Sequence, residues 1–331
     1  MSQAAFFSDQ PKGIERVYGG GRREQLQIEL DFYPTIVSTQ DFDHLAPDLA
    51  NLEFIFSTWG MPRLSTEQIK QMPALKVVFY AAGSVHSFAT PFLERGVQVV
   101  SAWEANGLPV AQFTMAQIIL AAKGYFTAER ACQTSAGREN YVSRYPGLLG
   151  TNVSILGAGM IGSKVIELIK PLQVEVLVFD PFLNESRAAY LGVQKVSLVE
   201  AFERSFIISN HIADLPETKK MLTRDLFERM QPYATFINTA RGATVDEQGM
   251  LEVLEKRPDL TALLDVTDPE PPGTDSMIYR LTNVLLSPHI ASNLGNEVRR
   301  QADCVIQEYH RFIKGEKMKY SISLSMLETM G

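Results

Sequence analysis

Three polar residues follow apolar, strand-like runs in the last third of the chain. Arg241 lies in Ile237-Asn-Thr-Ala-Arg241-Gly242, Glu270 in Leu264-Asp265-Val-Thr-Asp-Pro-Glu270-Pro-Pro, and His289 in Leu286-Ser-Pro-His289-Ile. Each alone has an ordinary explanation: a surface cation, a solvated turn acid, a satisfied loop histidine. Together they form a chemically complete set for reducing a 2-oxo acid. A guanidinium grips a carboxylate bidentately and polarises the neighbouring carbonyl. An imidazole donates a proton to the nascent alkoxide and takes it back in the reverse direction. A carboxylate beside the imidazole favours its protonated form and keeps it aimed.

The hydride for such a reaction has a candidate carrier site upstream. The apolar run Val153–Leu156 leads directly into Gly157-Ala158-Gly159-Met160-Ile161-Gly162, and Ser163–Ile169 then has a helical pattern. Strand, glycine turn and helix in that order are the context in which G-x-G-x-x-G binds a dinucleotide. Gly157 permits the tight turn, Gly159 lets the backbone approach a pyrophosphate, and Gly162 lets helix and strand pack closely. The phosphates would then meet free N–H groups at the helix N-terminus. A second strand pattern ends in Asp180, 18 residues past Gly162 (180 − 162), near the spacing of about 20 expected for a ribose-binding acid. A carboxylate there accepts from ribose hydroxyls and repels a 2′-phosphate, so the expected cofactor is NAD rather than NADP.

These residues need strands to position them, and the chain supplies two α/β series. Strands are expected at Ala4–Phe7, Phe54–Ser57, Lys76–Tyr80 and Val97–Val100, with helical stretches at Thr66–Gln71 and Thr90–Arg95. One long linking helix is expected from Val110 to about Ala136, followed by a loop from Gly137 to Gly150 punctuated by Pro146 and Gly147. The second series has strands near Val153–Leu156, Glu175–Phe179, Phe206–Ser209, Ala234–Asn238, Thr261–Asp265 and Val284–Ser287, with helices such as Ile161–Ile169 and Gln248–Glu255. Alternation of this kind reads as βαβ units, so the fold class is α/β with two doubly wound parallel-sheet domains.

Composition agrees and excludes other classes. The 331 residues exceed one usual domain, and 45% hydrophobic content is enough for two cores. A net charge of −7 without a basic stripe argues against a nucleic-acid partner. Arg22-Arg23 and Arg299-Arg300 read as isolated solvated pairs. Cys132 and Cys304 are far apart and without metal-like spacing, so both are expected to be small buried hydrophobes, and no metal site is expected. No secretory leader is expected, and the apolar run near Ile118–Ala122 is far too short to span a bilayer. A cytoplasmic protein without a membrane partner is the expectation.

The string Asn238-Thr-Ala-Arg-Gly-x-x-Val-Asp-Glu247, followed by L-D-V-x-x-x-E-P and S-P-H-I, resembles the D-isomer-specific 2-hydroxyacid dehydrogenases from about Leu75 to Asn296. That family includes phosphoglycerate, glycerate and D-lactate dehydrogenases and glyoxylate or hydroxypyruvate reductases. The resemblance implies Arg241 as the substrate-binding arginine, His289 as acid/base and Glu270 as its partner. It implies that Asp265 holds the nicotinamide side of NAD. It also places Met160, Ile161, Pro181, His211, Pro216, Thr239, Ala240 and Ala291, with Arg241 and His289, along the cofactor. A Rossmann-type cofactor domain (110–291) is expected to be inserted into a flavodoxin-like substrate domain (1–109 plus 292–331), with a homodimer as the usual assembly.

The turn Ala82-Gly83-Ser84 is implied to offer backbone N–H groups to the substrate carboxylate. It departs from the family pattern: Val85-His86-Ser87-Phe88 replaces an acidic, Asn-rich stretch, and Val110-Ala111-Gln112 replaces V-A-E. These departures bear on substrate identity more than on reaction type. Trp59, Met61, Tyr80 and Trp103 either face the site or belong to a domain core or dimer contact. The Gly83 turn carries no Arg or Lys, which disfavours a phosphorylated substrate, and no C-terminal regulatory domain is expected. Glu270 argues against a formate dehydrogenase, which pairs its histidine with glutamine. The alternative from another class is a dinucleotide-sensing, corepressor-like binding protein on the same fold.

Overall fold

The computed structural model describes residues 1–328. The chain divides into two compact units, Met1–Gly107 with the segment from Asn293 onward, and Leu108–Ser292.

The first unit is built on β1 (Gln3–Phe7), β2 (Asp31–Phe32), β3 (Leu52–Ser57), β4 (Val77–Tyr80) and β5 (Gln98–Ser101). These run parallel in the order β2-β1-β3-β4-β5, the flavodoxin-like sequence of strands. The late strand β13 (Ser321–Ile322) adds antiparallel to the β5 edge. Strands β3 and β4 are apolar on both faces because helices cover both. One face packs Phe54, Phe56 and Phe79 against Val305, Ile306 and Tyr309 of the helix Val298–Ile313. Met61 and Tyr80 are buried in the core of the other face, and Trp59 and Trp103 pack against it, so all four serve the core of this unit.

The second unit contains β6 (Asn152–Leu156), β7 (Glu175–Phe179), β8 (Gln194–Lys195), β9 (Ile207–Asn210), β10 (Thr235–Asn238), β11 (Thr261–Leu264) and β12 (Val284–Leu286). All seven are parallel in the order β12-β11-β10-β9-β6-β7-β8. Numbered within the unit this is 3-2-1-4-5-6-7, a Rossmann order extended by one strand, with its switch point between β6 and β9. The register aligns Leu156 with Phe179 and Asn210, and Asn238 with Asn210 and Leu264. The carboxyl ends of these strands therefore share one edge of the sheet.

Several expectations need correction. The long helix runs over Trp103–Ala122, not Val110 to Ala136. Gly124, in the left-handed region at φ 67°, breaks it, and two short helices follow, Tyr125–Ala131 and Ser135–Glu139. Strands β2, β8 and β13 are two residues each, too short for a periodic pattern to reveal. Cys132 is exposed and Cys304 only partly buried, so neither is a fully buried hydrophobe. Arg22 is not merely solvated: its guanidinium forks onto Asp303 at 2.6 and 2.7 Å. Arg23 lies over the Phe6 ring at 5.4 Å.

Candidate active site

The glycine loop leaves β6 and turns at Gly157, φ 91°, where a side chain would collide with the backbone of His211. At Gly162 a Cβ would lie 1.9 Å from the carbonyl oxygen of Gly157, so helix and loop approach as closely as backbone allows. Above Gly159 the space is open. The helix Met160–Ile169 starts there with no side-chain cap. Among the described residues the N–H groups of Met160, Ile161 and Gly162 have no acceptor. An uncapped helix start under an open glycine is a good fit for a pyrophosphate. Asp180 stands beside it, and its carboxylate accepts from Ala158 N at 2.7 Å and Phe182 N at 2.8 Å. Pro181 is exposed at the same strand end.

His211 follows β9 and places its backbone against Gly157. Its Nε2 is paired with Ser209 Oγ at 2.9 Å. The residue keeps some surface, yet its imidazole is desolvated enough to be pushed down to about 3. It is therefore neutral at ordinary pH. Pro216 opens an exposed turn, Pro216–Thr218, fixed by Thr218 Oγ1, which accepts from Leu215 N at 2.9 Å and donates to Ala213 O at 2.6 Å.

The Arg241 turn rests on buried amides that sequence reading overlooked. Asn238 Oδ1 accepts from Ala240 N and from Asn210 Nδ2, both at 3.1 Å, while Asn238 Nδ2 donates to Arg241 O at 3.1 Å. Thr239 is buried and paired with Thr114 at 3.0 Å. Arg241 Nη1 donates to Ala240 O at 2.8 Å, and no carboxylate neutralises its guanidinium among the described residues. Its charge is thus available to an anion. Gly242 then packs directly on the backbone of Thr267, tying this turn to the next loop.

That next loop carries Glu270. Asp268 N donates to Glu247 Oε2 at 3.1 Å, and burial pushes the Glu247 carboxyl upward. Glu270 Oε1 accepts from His289 Nδ1 at 2.7 Å. An ionised carboxylate only accepts, so Nδ1 carries the proton and Nε2 is left free to exchange one. His289 itself has φ 52°, uncommon for a residue with a side chain. Asp265, 2% exposed, holds it there. Its Oδ1 accepts from Ser287 Oγ at 2.6 Å and Ile290 N at 2.9 Å, its Oδ2 from Ala291 N at 2.8 Å, and its carbonyl from His289 N at 3.0 Å. A cavity of about 420 Å³ opens beside the Glu270–His289 pair, with Pro271, Pro272, Tyr279 and Leu286 as apolar walls.

The second unit thus gathers Gly157, Gly159, Met160, Ile161, Gly162, Asp180, His211, Thr239, Ala240, Arg241, Asp265, Glu270, His289 and Ala291 along or next to one sheet edge. The Ala82–Ser84 turn belongs to the first unit, after β4. Ser101 Oγ donates to the carbonyls of Ala82 and Gly83, and the N–H groups of Gly83 and Ser84 have no acceptor among the described residues. Asn106 packs its amide nitrogen against Gly83.

A model of the NAD-binding domain of D-isomer specific 2-hydroxyacid dehydrogenases matches residues 115–291. The chain belongs to that family. The D-3-phosphoglycerate dehydrogenase of Archaeoglobus fulgidus is 27% identical over 269 residues, covering 80% of this chain and 50% of the relative. That of Bacillus subtilis is 30% identical over 265 residues, 79% of this chain and 50% of the relative. The chain spans about half the length of these curated relatives. Among solved structures, a phosphoglycerate oxidoreductase from Rhizobium etli superposes with TM-score 0.80 at 21% identity, covering 97% of this chain and 98% of that one. A D-2-hydroxyisocaproate dehydrogenase gives 0.75 at 18% identity, covering 97% and 99%. At these identities the structures attest the fold, a pair of parallel-sheet α/β units. Residues 115–291 are therefore an NAD-binding domain of this family. No helix among the described residues is long and apolar enough to cross a membrane.

Proposed function

We propose that this protein interconverts a D-2-hydroxy acid and its 2-oxo acid with NAD(H). The observation that carries this reading is the Glu270–His289 pair, 2.7 Å apart, on the same sheet edge as the glycine loop. When bound, NADH supplies the hydride. Arg241 binds the substrate carboxylate and draws electron density towards the carbonyl oxygen. His289 Nε2 delivers a proton to that oxygen as it becomes a hydroxyl, and removes one in the reverse direction. Glu270 fixes the imidazole tautomer through Nδ1–H and offsets the charge that the ring acquires. A homodimer in the cytoplasm is part of the same reading. Association of two copies is supported by the helices Tyr125–Ala131 and Ser135–Glu139, which bury no residue within the chain, and by exposed Tyr125, Val142 and Leu149.

The experiment is an NADH-oxidation screen against 2-oxo acids graded by size and charge, including that of 3-phosphoglycerate. Wild-type protein should reduce at least one, and His289→Ala should nearly abolish turnover while NADH still binds. Near-wild-type turnover in His289→Ala would remove the proposed acid/base. Firm NADH binding without activity on any acid would favour the corepressor-like sensor.

A further inference from the structure

The loop that carries Glu270 is short of the donors that ordinarily fix a loop. In Asp268-Pro269-Glu270-Pro271-Pro272 three of the five residues are proline and have no N–H, so only Asp268 and Glu270 can donate from the backbone. Glu270 N has no acceptor among the described residues. Asp268 N donates at 3.1 Å to Glu247 Oε2, 21 positions away in the sequence. The other contacts hold the loop less firmly. Thr267 Oγ1 donates to Pro269 O at 2.9 Å, within the loop itself, and Tyr279 OH reaches Pro272 O only at 3.5 Å. Gly242 packs on Thr267 and Asp268 without a hydrogen bond to either.

Glu247 is well placed to be the anchor. It opens the helix Glu247–Lys256, whose Met250, Leu251, Val253 and Leu254 share a core with Phe236 of β10 and Ala262 and Leu264 of β11. The carboxylate is half-buried, and its bond to Asp268 N is the one hydrogen bond it makes among the described residues. An acid in a first helical turn also favours the helix dipole, but that role needs only charge and no contact with Asp268.

We propose that Glu247 is a positioning residue for the acid/base pair: by holding Asp268 N it fixes the loop two residues before Glu270, and through Glu270 it sets the His289 ring. The kinetic consequence rests on the proposed reaction, whereas the contact and the ring can be read without turnover.

The test uses the full chain with Glu247→Ala, Glu247→Asp, which keeps the charge but not the reach, and Glu247→Gln, which keeps the acceptor but not the charge. Hydrogen exchange should be faster at Asp268 by about tenfold or more in the Ala and Asp variants, and within about threefold of wild type in Gln. Nitrogen NMR of the His289 ring, assigned against His289→Ala, should show Nδ1 protonated in wild type and in Gln, and a mixture of tautomers in Ala and Asp. On any acid the wild type reduces, Ala and Asp should lower kcat by about tenfold or more while KM and NADH affinity stay within about twofold. In a Glu270→Gln background Glu247→Ala should cost less than about twofold, because its effect passes through Glu270. Unchanged exchange at Asp268 in the Ala and Asp variants, or an unchanged His289 tautomer, would overturn the proposal. So would equal losses in Gln and Ala with Asp unaffected, which would assign Glu247 to the helix dipole. The Asp variant keeps the test decisive if Ala does not fold. Wild-type inactivity on every acid would remove the proposed reaction, and the exchange and NMR results would still decide whether Glu247 sets the ring.

Discussion

Gly242→Ala is a single methyl addition whose consequences can be worked out in advance. The new carbon would lie 2.0 Å from the Thr267 carbonyl carbon, 2.2 Å from its oxygen and 2.5 Å from Asp268 N. All three are backbone atoms, so no side chain can swing aside. Restoring a 3.4 Å contact requires the two loops to part by about 1.4 Å. Overpacking of this kind costs about 1–3 kcal/mol. For a unit of this size that lowers Tm by roughly 2–12 °C. The larger effect is on chemistry, because Glu270 is carried two residues beyond Asp268 and sets the His289 ring. A displacement of about 1 Å in a reacting group costs on the order of a hundredfold in rate. The expected result is therefore kcat reduced about a hundredfold on whichever 2-oxo acid the wild type reduces, with a milder loss of NADH affinity. The glycine loop leaves β6, two strands away from β10. Steady-state kinetics, NADH titration and a thermal melt on the same preparation check all three effects. A variant with kcat within about threefold of wild type and an unchanged Tm would refute the idea that backbone contact at Gly242 couples the Arg241 and Glu270 loops.

Two further outcomes follow from individual side chains. Asp180→Ala frees the N–H groups of Ala158 and Phe182 and so unclamps the glycine loop; it should weaken NADH, measured by titration, and an unchanged NADH affinity would show that the clamp is dispensable. His211, with its folded value near 3 against about 6.5 when unfolded, stabilises the fold fully above pH 6.5 and loses that contribution as pH falls towards 3. The loss is up to roughly 1.4 kcal/mol per pH unit. His211→Gln should flatten the acid limb of stability in urea melts between about pH 6.5 and 4, and an unaltered slope would mean that the imidazole is not desolvated in solution.

Much of the candidate site was legible because its signals are local. A glycine loop between a β-branched run and a helical pattern is read from neighbouring residues, and the N-T-A-R-G, E-P and S-P-H strings each mark a strand end. What escaped is contact between segments distant in sequence. By sequence Asp180 reads only as a ribose acceptor, because nothing in its neighbourhood reveals that Ala158, 22 residues earlier, donates to it. The Asn210–Asn238 pair spans 28 residues and sits inside two strands that read as simply apolar. The ends of the helix Trp103–Ala122 are hidden in the sequence for two reasons. Pro109 lies within it and disguises its start, and a single Gly124 fits a helical pattern although the chain turns left-handed there. Two-residue strands such as β8 have no periodicity at all.

The His289 backbone gives the clearest reason to assign Asp265 a role of its own. A non-glycine residue at φ 52° is held against a cost of about 1–3 kcal/mol, so something around it must over-determine the turn. Asp265 is the only residue bonded on both sides of that turn among those described: to Ser287 before His289, and to Ile290 and Ala291 after it. Three charge-assisted bonds to one buried carboxylate outweigh the strain, since each contributes about 1.5–3 kcal/mol. They also occupy three of roughly four lone-pair sites, which fixes the orientation of the carboxylate itself. A buried acid at this position therefore aims the imidazole. The Leu-Asp-Val and Ser-Pro-His strings work as one unit because the first supplies the carboxylate that bends the second.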